Sequence, residues 1–175
     1  MAIRIVKTDA PKEKVSADKL GFGKVFSDHM FMMEYEGGEW KDPRIVPFGN
    51  LSLHPASTVF HYGAEIFEGL KAYRRADGGV QLFRPEENIR RMNNSADRMC
   101  LPQIDEKLFM EALETLVRID ESWVPSAPGT SLYLRPFLFE NDPFLGSTPC
   151  RRRNSLSSPA PWAAIIRKAC SPSAS

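Results

Sequence analysis

The chain has 175 residues, 42% hydrophobic and 26% charged, with a formal net charge of +1. That composition fits one globular domain, with or without a tail. No apolar run reaches the roughly 20 residues needed to cross a bilayer.

Met1 to Lys7 lacks the apolar core of a secretory signal, and Asp9 and Glu13 come too early for a transit peptide. Cys100, Cys150 and Cys170 show no metal spacing and are too few for a disulfide framework. A cytoplasmic protein is expected. The small net charge hides an asymmetry. Residues 151–175 carry Arg151, Arg152, Arg153, Arg167 and Lys168 and no acid, so the remainder holds 18 cations against 22 acids. That split is a composition boundary.

Residues 1–20 are weakly patterned and are expected to form an extended arm. The arm leads into Gly21-Phe22-Gly23, whose glycines let the backbone turn and present the Phe22 ring; a plain core role for Phe22 is the other reading. Ser27 to Tyr35 reads as a largely buried strand. Gly37-Gly38 marks a hairpin turn, and Glu39 to Phe48 returns until Pro47. His29 is read as a satisfied, partly buried histidine, since a lone His makes no metal site.

Leu70 to Arg74 and Val80 to Phe83 flank Ala76-Asp77-Gly78-Gly79 as a second hairpin. Pro85 suits the first turn of a helix, with Glu86 and Glu87 favourable beside it. Ile89, Met92, Ala96 and Met99 share one face, leaving Arg91 off it, and Leu101-Pro102 stops the helix. Asp105 can cap a second helix, with Phe109, Ala112, Leu113, Leu116 and Ile119 as its buried stripe.

Ser131 to Glu140 is a further strand. Its alternation places Tyr133, Arg135 and Phe137 on one face and Leu132 and Leu134 on the other. An arginine beside two aromatics on a half-covered face is a candidate anion ligand; a solvent-exposed strand face is the alternative. Two hairpins, two helices and this strand make a small α+β domain. No glycine-rich phosphate loop, zinc spacing or nucleophile elbow is present.

The densest stretch is His61-Tyr62-Gly63-Ala64-Glu65-Ile66-Phe67-Glu68-Gly69-Leu70-Lys71-Ala72. It resembles the branched-chain amino acid aminotransferases, pyridoxal 5'-phosphate enzymes of fold type IV. So do Phe22-Gly23-Lys24, Ser27 to Met30, Asn50 to Pro55, Leu82 to Pro85, Asn88 to Met92 and Ser131 to Pro136, in the same order. The resemblance runs from Gly21 to Gly146 and implies the family's small N-terminal domain. It implies that Arg91 contacts the cofactor phosphate, and that Phe22, Tyr62, Phe67, Tyr133 and Arg135 line the substrate side-chain pocket. It further implies amino-group transfer between Leu, Ile or Val and 2-oxoglutarate, with amino acids and 2-oxo acids as partners. The expectation is that nucleic acid, membrane and metal play no part, with a nucleic-acid contact by the basic tail as a weaker reading, and the resemblance implies assembly as a homodimer or larger. The lysine that carries the cofactor belongs to the family's second, larger domain, so no catalytic residue is assigned here and Lys71 is read as structural.

The match stops at Gly146. Fourteen of residues 151–175 are Ser, Ala or Pro, which reads as a disordered tail over 147–175. A one-base offset offers an explanation. Gly146-Ser147 can then encode Val, and Trp162 into Ala163 forces the glycine codon GGC. Pro161 to Lys168 can encode Val-Gly-Ser-Tyr-Tyr-Pro-Glu, which looks like the family's continuation. The expectation is a frame-shifted remnant on a truncated enzyme that is inactive alone; the alternative is a non-catalytic domain serving only in folding or interaction. The gene sequence tests the first idea, since a one-base offset must restore a long open frame.

Overall fold

The computed structural model describes residues 1–15, 23–146, 158–159 and 162–168, the last two stretches as backbone only. The first hairpin forms because Gly37 and Gly38 both adopt positive φ (64° and 88°), which matches a tight turn to strand twist. It joins β2 (Phe26–Glu36) to β3 (Glu39–Pro47). A short β1 (Arg4–Ile5) runs parallel to β3, so this part of the arm is an edge strand. Register slips between Met32 and Glu34, opposite Asp42-Pro43, where proline cannot donate to the ladder.

A one-turn helix α1 (Thr58–Tyr62) follows, then β4 (Glu65–Phe67), β5 (Leu70–Arg74) and β6 (Val80–Leu82). Helices α2 (Pro85–Met99) and α3 (Glu106–Ile119) come next, and β7 (Thr130–Phe139) closes this part of the chain. Asp105 caps α3 by accepting from the Leu108 amide at 2.8 Å.

Beyond them lie β8 (Ser158–Pro159) and β9 (Trp162–Lys168). The sheet order is β1-β3-β2-β9-β7-β5-β6, with β4 on β7 and β8 on β2. β9 is antiparallel to both β2 and β7 and pairs with β7 from Thr130↔Lys168 to Pro136↔Trp162. These two stretches lie within residues 147–175, the span expected as a disordered tail. Two facing strand edges leave unpaired backbone groups that a third strand satisfies. The Ser/Ala/Pro count over the whole tail masks the strand-forming Trp162 and Ile165-Ile166 within it. The rest of the expected tail lies outside the described residues.

One face of the sheet packs against α2 and α3. Phe31, Ile45, Ala72 and Leu132 from the strands meet Ile89, Met92, Phe109, Leu113 and Leu116 from the helices, all buried in one cluster. The helical stripes expected from periodicity are the ones that pack here, with Met99 and Ile119 partly buried at the helix ends. His29 joins the sheet to the end of α3. Its Nδ1 donates to Asp120 Oδ1 at 2.6 Å, its amide donates to Asp120 Oδ2 at 3.0 Å, and its Nε2 accepts from the Thr8 amide at 3.0 Å. Every polar atom of the ring is satisfied, as the lone-histidine reading expects. Among the described residues no helix is long and apolar enough to cross a membrane.

Candidate functional site

The sheet face turned away from the helices carries the site. Alternation along β7 sets Tyr133 and Arg135 there, half-buried, while Leu132 and Leu134 enter the core. β4 and β5 both pair with β7, at Phe67↔Phe137 and Lys71↔Tyr133. Phe67 and Lys71 therefore flank the same strip.

The Arg135 guanidinium lies 4.3 Å from the Phe67 ring centroid and 5.2 Å from that of Tyr133. Its Nε and Nη2 donate to the Tyr133 hydroxyl at 3.1 and 2.7 Å. Among the described residues no carboxylate forms an ion pair with Arg135. A half-buried cation stacked between aromatic rings, with no acid beside it, is suited to hold an incoming carboxylate.

Gly69 makes this packing possible, because a Cβ there would collide with the Tyr133 hydroxyl and lie 2.9 Å from its Cζ. Tyr62 sits at the end of α1, 51% exposed, edge-on to His61. The α1 amides of Thr58 and Val59 donate to the carbonyls of Asp142 and Glu140 just past β7, so this short helix is held by the strand that carries Arg135. Phe22 lies outside the described residues.

Beside Tyr133 a cleft of about 490 Å³ opens toward the start of α2, lined by Gly69, Lys71, Arg84, Asn88, Arg91 and Tyr133 among others. Arg91 is off the helix's core face, as the periodicity requires, with its side chain 60% exposed. Glu68 grips it from below. Arg91 Nε donates to Oε1 at 3.0 Å and Nη2 to Oε2 at 2.7 Å, and Asn88 Nδ2 adds a bond to Oε2 at 2.9 Å. These hydrogen bonds and the Glu68 charge raise the Arg91 pKa above the ordinary arginine value. Three cations with aromatic walls in a cleft of this size fit a small phosphate ester bearing a ring.

Tyr133 links the Arg135 cluster to the Arg91 cleft, so the structure brings together Phe67, Arg91, Tyr133 and Arg135 along one face. Glu68, Asn88 and Gly69 are the positions that sequence reasoning passed over. Asn88 and Arg91 stand three residues apart on α2 and share a side, which was visible. Their common partner lies 20 and 23 residues away and was not.

No family model matches the chain. Branched-chain-amino-acid aminotransferase 2 of Bacillus subtilis is 53% identical over 145 residues, which is 82% of this chain and 40% of that protein. Among solved structures, the Escherichia coli branched-chain amino acid aminotransferase aligns with a TM-score of 0.58 at 27% identity, covering 78% of this chain and 40% of that one. A second solved branched-chain amino acid aminotransferase, in complex with N-(5'-phosphopyridoxyl)-L-glutamate, aligns at 0.57 and 25% identity over 84% of this chain and 40% of that one. The chain thus spans about two-fifths of the length of these relatives. With about four-fifths of its own residues so related, and with their fold, it belongs to the branched-chain-amino-acid aminotransferase family.

Proposed function

We propose that this chain supplies one wall of a branched-chain aminotransferase site. Arg91 would hold the phosphate of pyridoxal 5'-phosphate, with Lys71 and Arg84 adding positive charge to the same cleft. Phe67 and Tyr133, together with Tyr62 and Phe22, would receive the substrate side chain. The observation that carries this reading is the adjacency of two cationic sites of different kinds. Arg91 is fixed by an acid and opens on the cleft, whereas among the described residues Arg135 is held by aromatic rings and a phenol. The first suits a permanent anion. The second suits an anion that comes and goes.

The same pocket can then take both members of the substrate pair. A Leu, Ile or Val side chain buries apolar surface against Phe67 and Tyr133. The distal carboxylate of glutamate or 2-oxoglutarate instead finds Arg135 and the Tyr133 hydroxyl. When bound, the cofactor supplies the electron sink for moving the amino group. This chain's residues orient and bind, and none of those described is assigned the proton transfer. Cytoplasmic location and assembly as a dimer or larger belong to the same proposal and rest on the family alone.

On this reading the 175-residue chain by itself does not turn over. Adding pyridoxal 5'-phosphate and borohydride tests this directly. We expect no reducible absorbance band that maps to a single lysine. A stoichiometric band on one lysine, with transamination of leucine, would overturn the proposal of an isolated chain without a catalyst.

A further inference from the structure

Glu68 is the least exposed acid near the cleft, at 9% accessible, and it spends its carboxylate entirely on groups that build the site. Oε1 takes Arg91 Nε; Oε2 takes Arg91 Nη2, Asn88 Nδ2 and, at 3.3 Å, the amide of Gly69. Its own amide donates to the Pro136 carbonyl at 2.8 Å, one residue beyond Arg135. Asn88 Nδ2 also reaches the Gly69 carbonyl at 3.2 Å, closing the ring of contacts around the glycine that makes room for Tyr133. Residue 68 therefore ties the helix bearing Arg91 to the strand bearing Arg135.

We propose that Glu68 is a positioning residue: it fixes the Arg91 guanidinium, by its Nε and Nη2, so that the remaining N–H groups face the cleft and hold a phosphate ester. This rests on the reading of Arg91 as the phosphate ligand. An acid beside an anion site is otherwise unfavourable, because its charge repels the ligand. A buried acid kept there contributes only if orientation outweighs repulsion. The two effects have opposite signs and can be told apart. Removing the charge from a purely structural acid tightens phosphate binding; removing it from a positioning acid weakens binding.

The experiment uses the full chain and pyridoxine 5'-phosphate, which has no aldehyde and cannot react with surface lysines, with binding measured by calorimetry alongside thermal melting. For Glu68→Gln we expect about ten-fold weaker binding, as for other groups that orient a ligating side chain. Unchanged or tighter binding by a folded Glu68→Gln overturns the positioning role. Arg91→Ala should abolish binding. If Arg91→Ala binds like the parent, or the parent binds nothing, the phosphate reading of Arg91 itself fails, whatever Glu68 does. Should Glu68→Gln not fold, the parent chain answers by NMR. The Arg91 Nε–H resonance should keep its hydrogen-bonded shift on loading with pyridoxine 5'-phosphate. Its move to the free-guanidinium position would mean that the ligand displaces Glu68, and the inference falls.

Discussion

The two faces of β7 differ more than any two separate elements of this molecule. Leu132, Leu134 and Leu138 are buried against α2 and α3, while Tyr133, Arg135 and Phe137, interleaved with them, are half-buried on the opposite side. One strand thus serves two environments, because the pleat alternates side chains and only one face has helices over it. The helix-side positions are bound by packing density, where a methylene lost is felt. The open-side positions hold aromatic rings and an arginine that contact one another. Stability and binding should therefore separate along one strand, residue by residue.

Leu132→Ala is the strongest way to break the contrast. It should cost about 3 kcal/mol of unfolding free energy through lost burial and a cavity, read by denaturant titration, and leave phosphate-ester affinity unchanged in the folded fraction. A change in affinity would mean the faces are coupled.

Asp120→Asn tests the join between sheet and helix layer. The amide cannot accept from both the His29 amide and Nδ1, so a buried donor loses its partner, at about 2 kcal/mol. Chemical denaturation gives the number, and a loss below about 0.5 kcal/mol would show that the backbone alone holds His29.

Gly69→Ala attacks the open side sterically. The new Cβ must push Tyr133 aside, at about 1–2 kcal/mol. Because Tyr133 carries the Arg135 hydrogen bonds, affinity for a dicarboxylate such as 2-oxoglutarate should fall with it. Ligand-observed NMR would report that loss.

Arg135→Ala is the mirror image of Leu132→Ala. No acid is left unpaired, so stability should move by less than about 1 kcal/mol. Binding of 2-oxoglutarate should drop at least roughly ten-fold, the equivalent of one charge-assisted contact.

The smallest expected effect lies at the second hairpin, far from both faces. Asp77 accepts from the Gly79 amide at 2.9 Å and from Arg75, and these bonds hold its pKa below the ordinary 3.8. Its contribution is fully present above that ordinary value and is lost as pH falls through the lower folded-state value. Carboxyl NMR titration should show the depressed midpoint, and Asp77→Asn should remove this acid-dependent increment from the hairpin alone.

Much of this contrast was legible in the residues. The hairpin at Gly37-Gly38, the start of α2 at Pro85 and the cap at Asp105 follow from local backbone chemistry. The α2 and α3 stripes and the split of β7 into two faces follow from periodicity. The resemblance carried by His61 to Ala72 named the family before any geometry was known.

What stayed hidden is non-local. β9 is specified by the two strand edges it completes, not by its own Ser- and Pro-rich neighbourhood. The grip of Glu68 on Arg91 depends on β4 and α2 meeting. The requirement for glycine at 69 depends on where a tyrosine 64 positions later lays its ring. Sequence by itself determined the periods, the caps and the turns, because these are set by neighbours a few residues apart. Only the tertiary structure decided which charges meet, because a carboxylate chooses its partner by distance and burial once the chain has closed.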